Sequence, residues 1–463
     1  MKLNNIELTF EDFAREMAKL KNEKHFDYLV TIIGEDFGEE GLGCIYILEN
    51  TENNERCSVR TIAKKVDGSD VIPTVINLWK SADLLEREVF DFVGIKFLGH
   101  PDMRRLFLRT DFKGHPLRKD FDMSPEANKF PLTDEPESDY TVEYNLDADG
   151  HLTETKHRLF TDDDYVVNIG PNHPSTHGVL RLQTVINGET VKRIYPHLGY
   201  IHRGIEKMWE GMTYPQTLAL TDRLNYLSAM MHRHALVGVI EEAMGIELSD
   251  RIRYIRTIMD ELQRIDSHLL FLGCTAQDLG ALTAFLYCMR DREHVLNVME
   301  ETTGGRLIMN YYRIGGLQAD IDPNFVENTK KLCKYLRPKI QEYLDVFGDN
   351  VITHNRLVGV GPMDKENCIN YGVTGPAGRA AGWKNDTRKR HPYDKYDKVE
   401  WKEITMTGCD SMDRYYVHIK ELYQSLDIIE QLIDNIPEGE FYIKQKPIIK
   451  VPEGQWYFSV EGA

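Results

Sequence analysis

No C-x-x-C pair occurs anywhere in this chain of 463 residues, and its seven cysteines (Cys44, Cys57, Cys274, Cys288, Cys333, Cys368, Cys409) show no Cys/His zinc spacing and no even disulfide framework. Scattered core thiols in a reducing compartment are therefore expected. No segment approaches the ~20 apolar residues that cross a bilayer. The N-terminal MKLNNIELTFEDFAREMAKL mixes charges of both signs with short apolar steps, so it does not read as a signal peptide. No strand is followed by G-x-G-x-x-G, and G-x-x-x-x-G-K-[ST] is absent, which removes Rossmann and P-loop nucleotide sites. A basic excess is missing too. The formal net charge is −18, whereas binding to nucleic acid or anionic lipid needs clustered Lys and Arg.

What is there is an ordinary globular mixture, 41% hydrophobic and 28% charged, long enough for two or three domains. The acidity is concentrated. Residues 122–164 carry 13 acidic against 3 basic side chains, more than half of the total excess, between two nearly balanced flanks. Such a stretch predicts a solvated acidic linker, dividing the chain into 1–121, 122–164 and 165–463.

Before the linker, FDYLVTIIG, GCIYILEN and ERCSVRTIAKKV read as strands, and residues 75–92 as a helix with Leu78, Leu85, Val89 and Phe92 on one face. The fold expected for this part is a small α+β domain. GHPDMRRLFLRTDFKGHPLRKD, residues 99–120, has neither period, so docking must hold it in place. Beyond the linker, Asn187-Gly188 between two alternating segments predicts a β-hairpin. Helical spacing follows: one helix from about 216 carrying Leu220, Leu224, Leu227 and Met231, a second from Ile252 stopping near Gly273, and a third from about 281 to Gly304-Gly305. Two more are expected at about 325–346 and 411–436, completing a mainly α-helical domain.

Three places could carry chemistry. GPNHPSTHG, Gly170 to Gly178, puts two prolines, two histidines, Ser175 and Thr176 in one stiff loop rich in donors and acceptors. His173 reads as structural, and the spacing matches no metal motif. In Asp222-Arg223-Leu224-Asn225-Tyr226, the expected helix sets Asp222 and Tyr226 on one side, where a tyrosine is ordinarily core. Asp278 falls between the second and third helices, where a helix N-cap is the plain role.

GPNHPSTHGVLRL, PHLGYIHRGIEK, LTDRLNYLSAM, ELQRIDSHLLFLG, QDLGALTAFLY and YYRIGG, in this order, resemble the D-type component of respiratory complex I, the proton-pumping NADH:quinone oxidoreductase. EREVFDFVGIKFLGHPDMRRLF followed by DFKGHPLRKDF resembles the C-type component of the same complex, so the chain is similar to the fused C/D polypeptide of some bacteria. The resemblance implies a peripheral translocase subunit on the cytoplasmic side of the inner membrane, with a C-like domain at 1–121 and a D-like domain at 165–463 related to [NiFe] hydrogenase large subunits. It implies that His177 and Tyr226 hydrogen-bond the quinone headgroup and that Asp278 partners His177. Electrons then come from a [4Fe-4S] cluster in the neighbouring subunit, with membrane-arm subunits as further partners and no metal or flavin held by this chain. Histidine and tyrosine suit quinone reduction, which takes two electrons and two protons, because both can donate a hydrogen bond and a proton. A hydrogenase is disfavoured, since its metal needs the absent C-x-x-C thiolates.

Two departures from the family stand out. Many members carry a histidine after the G-x-R here written Gly304-Gly305-Arg306, where this chain has Ile308 and Met309. That implies a partner cluster of lower, less pH-dependent potential, suited to menaquinone. The chain also stops at SVEGA where the family continues, which reads as a truncated D-like domain. A second hypothesis is a silent scaffold docking partners through Arg104, Arg105, Phe107, Phe112 and Arg118.

Overall fold

The computed structural model describes residues 3–124, 139–446 and 448–462. It is a mixed α+β structure whose chain falls into two compact units, one made of Asn4–Gly211 with Asn370–Gly372, the other of Met212–Ile369 and Val373–Ala463.

In the first unit, β1 (Asn4–Leu8), α1 (Phe10–Asn22), β2 (Tyr28–Asp36), β3 (Leu42–Glu49) and β4 (Arg56–Ile62) form a sheet of order β1-β4-β3-β2 with one helix. Every residue of β3 is buried, the continuous apolar run of a strand covered on both faces. Thr9 caps α1 by accepting the Asp12 amide, a local signal that the composition of the N-terminus conceals. The short β5 (Lys64–Val66) and β6 (Ser69–Pro73) precede α2 (Ala82–Val93). This helix starts later than its spacing predicts, because residues 74–81 form tight turns instead. The buried Glu86 carboxylate accepts the Val75 amide at 2.8 Å and the Thr74 hydroxyl at 2.6 Å. Gly94 ends α2 at φ +88°, and a Cβ there would lie 2.6 Å from the His115 ring, so glycine is required twice over.

Residues 99–120 do lack regular structure beyond Gly99, and one carboxylate organises them. Asp91 Oδ2 accepts the amides of Leu106, Phe107 and Leu108 at 2.8–3.0 Å, while Oδ1 accepts Arg105 Nη1 at 2.7 Å. Arg105 also donates to the Phe112 and Gly114 carbonyls. Phe107 stacks on Phe92 at 5.7 Å and on His202 at 5.6 Å, Phe112 stacks on Phe121, and Arg104 and Arg118 pair with Asp102 and Asp120. The anchors expected to dock a partner are thus engaged within their own unit.

The acidic segment is not a linker along its second half. After β7 (Lys96–Leu98), β8 (Tyr140–Leu146) and β9 (Leu152–Arg158) form an antiparallel hairpin, and β8 pairs with β7 to complete the order β5-β6-β7-β8-β9. Net charge hid that Tyr144 is buried in the core and that Val142 and Leu152 pack against it. Within the expected linker, residues 125–138 lie outside the described residues. Next, β10 (Tyr165–Ile169), β11 (Asn172–His173), β12 (Gly178–Val179), β13 (Arg181–Asn187) and β14 (Thr190–His197) include the anticipated hairpin: β13 pairs antiparallel with both β10 and β14. The short α3 (Ile205–Glu210) follows.

The second unit is helical. The first long helix expected from spacing is broken into α4 (Tyr214–Thr221) and α5 (Ala229–Met244), so the Asp222–Tyr226 motif is a connection and not a helix face. α6 (Asp250–Asp278) is capped by Ser249 and runs through Gly273 instead of stopping there. A Cβ at Gly273 would lie 2.9 Å from Met289 and 3.2 Å from Cys288 of α7 (Leu282–Thr303), so this glycine marks a close helix approach. Two minimal strands, β15 (Tyr312–Arg313) and β16 (Gly316–Leu317), lead to α8 (Phe325–Tyr343). The short α9 (Val351–Leu357), α10 (Lys365–Tyr371), α11 (Gly375–Ala380) and α12 (Thr387–Arg390) precede α13 (Ser411–Ile433). α6, α7, α8 and α13 bury one core that includes Ile258, Leu262, Ile265, Val295, Leu336, Ile428 and Ile429.

Candidate functional site

In the first unit, the Gly170–Gly178 loop is shaped by its own side chains. His173 Nδ1 accepts the Ser175 amide at 3.2 Å, and the Thr176 hydroxyl donates to the His173 and Gly178 carbonyls at 2.8 and 3.0 Å. His173 is accordingly a structural cap. His177 sits at φ +50° as the short 3-10 turn Pro174–Thr176 ends, and it is exposed on its unit. A left-handed non-glycine residue is uncommon, and here the turn fixes the backbone from which the imidazole projects.

Tyr226 and Asp278 belong to the second unit. Tyr226 opens a 3-10 turn, Tyr226–Ser228, that leads into α5, and it is 51% exposed. Arg223, Leu224 and Asn225 beside it are exposed as well. Asp222, four residues earlier, is fully buried; its Oδ1 accepts Arg233 Nε of α5 at 2.5 Å and its Oδ2 accepts the Asn310 amide at 2.8 Å. Just past Tyr226, Gln263 of α6 donates to the Leu227 carbonyl at 3.1 Å. Asp278 is the last residue of α6 and is exposed, so it closes one helix and does not cap the next. The structure thus puts Tyr226 and Asp278 in one unit and His177 in the other.

Sequence reasoning missed the buried ionisable groups of the second unit. His234 of α5 lies between Asp260 of α6, at 2.7 Å, and Asp394, at 3.2 Å. Burial pushes its imidazole pKa down, but the two carboxylates outweigh that and carry it up to about 9. Tyr312 donates to Asp260 at 2.7 Å. Further along α6, Glu261 accepts Arg388 at 2.9 Å and the Tyr396 hydroxyl at 2.6 Å. Burial raises this carboxyl, yet Arg388 and Arg264 hold it down to about 2. Arg379 joins Glu421 and Glu461 at 2.6 Å each, and His268 donates to Glu421 at 2.9 Å. In sequence, α6 reads as alternating acid and base at helical intervals, the pattern of a solvated face. Only the helices packed over it reveal an ionic core.

The chain matches the family model for the respiratory-chain NADH dehydrogenase 49 Kd subunit over residues 278–463, and that for the 30 Kd subunit over residues 6–127. It is 54% identical over 458 residues to the NADH-quinone oxidoreductase C/D polypeptide of Phocaeicola vulgatus, covering 99% of this chain and 88% of the relative. The Bacteroides fragilis protein of the same description is 55% identical over 459 residues, 97% of this chain and 86% of the relative. That of Aquifex aeolicus is 37% identical over 97% of this chain and 79% of the relative.

Proposed function

The chain belongs to the family of fused C/D polypeptides of NADH-quinone oxidoreductase, and from that premise we propose that it forms the quinone headgroup site of that oxidoreductase, in the peripheral arm. It is a subunit of an oxidoreductase complex whose substrate is a quinone and whose other subunits are its partners. No helix among the described residues is long and apolar enough to cross a membrane, so its membrane association runs through those partners.

In this reading Tyr226 and His177 donate hydrogen bonds to the two headgroup carbonyls and supply the two protons that accompany the two electrons of quinol formation. Asp278 holds the His177 imidazole in its donating tautomer. The electrons arrive from a [4Fe-4S] cluster of the neighbouring subunit, the quinone is menaquinone, and proton translocation follows through membrane-arm subunits. The chain holds no metal or flavin of its own, and the complex faces the cytoplasm. The finer architecture proposed is a C-like domain at 1–121 joined by residues 122–164 to a hydrogenase-related D-like domain at 165–463.

The observation that carries this reading is Tyr226 itself. A tyrosine half open to solvent on a backbone held by polar contacts on both sides supports a ligand-binding role over a core one. Tyr226→Phe and His177→Ala in the assembled, membrane-bound complex test it. Each should lower quinone reduction by about 10²-fold, the usual scale for a lost proton donor, while electron transfer from NADH to ferricyanide, which does not need the site, stays normal. Quinone reduction at the ordinary rate and KM in both variants would remove the assignment.

A further inference from the structure

We propose that Asp222, Arg233 and Asn310 are positioning residues that set the Tyr226 hydroxyl and tie it to the segment Gly305–Asn310; this rests on the reading of Tyr226 as a headgroup ligand.

The argument starts with why α4 stops. Arg233 reaches back from α5 and donates Nη2 to the Leu218 carbonyl at 2.7 Å, taking a carbonyl from the last turn of α4. Its Nε meets Asp222 at 2.5 Å, at the residue where that helix ends. A buried guanidinium bound to both a helix-end carbonyl and the helix's closing carboxylate fixes the exit direction of the chain. Asn225 is then extended, with its side chain accepting the Leu227 amide at 3.1 Å. Tyr226 is thus framed by the ion pair on one side and by the Gln263 bond to Leu227 on the other.

The same pair grips a distant stretch. Arg233 Nη2 donates to Asn310 Oδ1 at 2.7 Å, Nη1 donates to the Tyr312 carbonyl at 3.0 Å, and the Asn310 amide donates to Asp222 Oδ2 at 2.8 Å. Asn310 stands at φ +51°, a conformation asparagine tolerates better than most residues, and its neighbour Met309 is buried. Both carboxylate oxygens of Asp222 and all three guanidinium nitrogens of Arg233 are engaged. Asp222 and Arg233 are buried while Asn310 is exposed, so a shift of the Gly305–Asn310 segment is passed to the Tyr226 turn through two rigid side chains. The two elements move together or the buried charges lose partners, which is costly.

The test is a set of double-mutant cycles in the assembled complex, with 2,3-dimethyl-1,4-naphthoquinone as acceptor and NADH–ferricyanide activity as the measure of assembly. Asp222→Asn and Arg233→Lys should each raise KM by about tenfold with a smaller fall in kcat. On a Tyr226→Phe background the same substitutions should change KM by less than about twofold, because they act through the hydroxyl already removed. Asn310→Gly is the milder variant: it keeps the left-handed backbone and the amide donor but removes the acceptor for Arg233, and should raise KM by about threefold. Effects that multiply on the Tyr226→Phe background, or assembled variants with unaltered KM, would overturn the positioning role and leave the headgroup reading standing. A Tyr226→Phe enzyme that is itself normal would bring down both.

Discussion

His234 shows how far a residue can depart from what its neighbours in sequence suggest. In MHRHAL it is one of several polar residues in an amphipathic stretch, yet it is buried between Asp260 and Asp394 with the rings of Tyr312 and Tyr393 packed edge-on at 5.3 Å. Its proton is held to about pH 9 in the folded state, against an unfolded value of about 6.5. A raised pKa means that the folded chain binds the proton more tightly than the unfolded one. The stabilisation is therefore complete below about pH 6.5 and is lost as pH rises through 9, with a scale of about 3 kcal/mol. Urea denaturation across that range should show falling stability in the native chain, and the slope should be much weaker in His234→Gln. An equal slope in both would assign the pH dependence to other groups. At this scale the candidate site is partly legible: the density of donors and acceptors marks the Gly170–Gly178 loop as a candidate, but nothing in the spacing of Asp222 and Arg233 foretold that they pair.

Elements without period depend on single anchors. The segment from His100 to Asp120 has no ladder or helix to satisfy its amides, so the buried Asp91 carboxylate at the end of α2 does so for three of them and for Arg105. Asp91→Ala would leave those donors and the guanidinium without their acceptor, and should destabilise the first unit by about 3–5 kcal/mol. Chemical denaturation should record that loss, and proteolysis should begin within residues 100–120. Unchanged stability would mean that the apolar contacts of Phe107 suffice. The helices themselves were readable to within a turn wherever a cap stood in the chain, as at Gly304 and Asp410. The errors, at residues 75–81, 222–228 and 273, arise where a buried side chain from elsewhere takes a backbone group, or where a glycine serves packing and not termination.

For the whole molecule, function is a property of an assembly. If, as proposed, a partner's cluster lies beside this chain, Ile308 and Met309 stand where the resemblance leads one to expect a histidine, and neither side chain can exchange a proton. The cluster's midpoint potential should accordingly vary little with pH. A redox titration followed by electron paramagnetic resonance at several pH values checks it, and a steep slope would mean that another titrating group has taken over.

The family, and which stretches are strand-rich and which helical, were legible in the sequence alone, because long ordered motifs and hydrophobic period are local properties of the chain; the boundary was not, since the strands at 165–197 fall in the first unit. Nor was the place of the charge. More than half of the net −18 lies in residues 122–164, yet part of that stretch is a β-hairpin, and many of the charges that shape the second unit are buried. Tertiary structure decided this, since the cost of burying an ion depends on partners from distant helices, and those partners have no mark in the local sequence. The same holds for the stretch that bears Tyr226, expected as a helix face and found as a turn where Arg233 of α5 holds the end of α4.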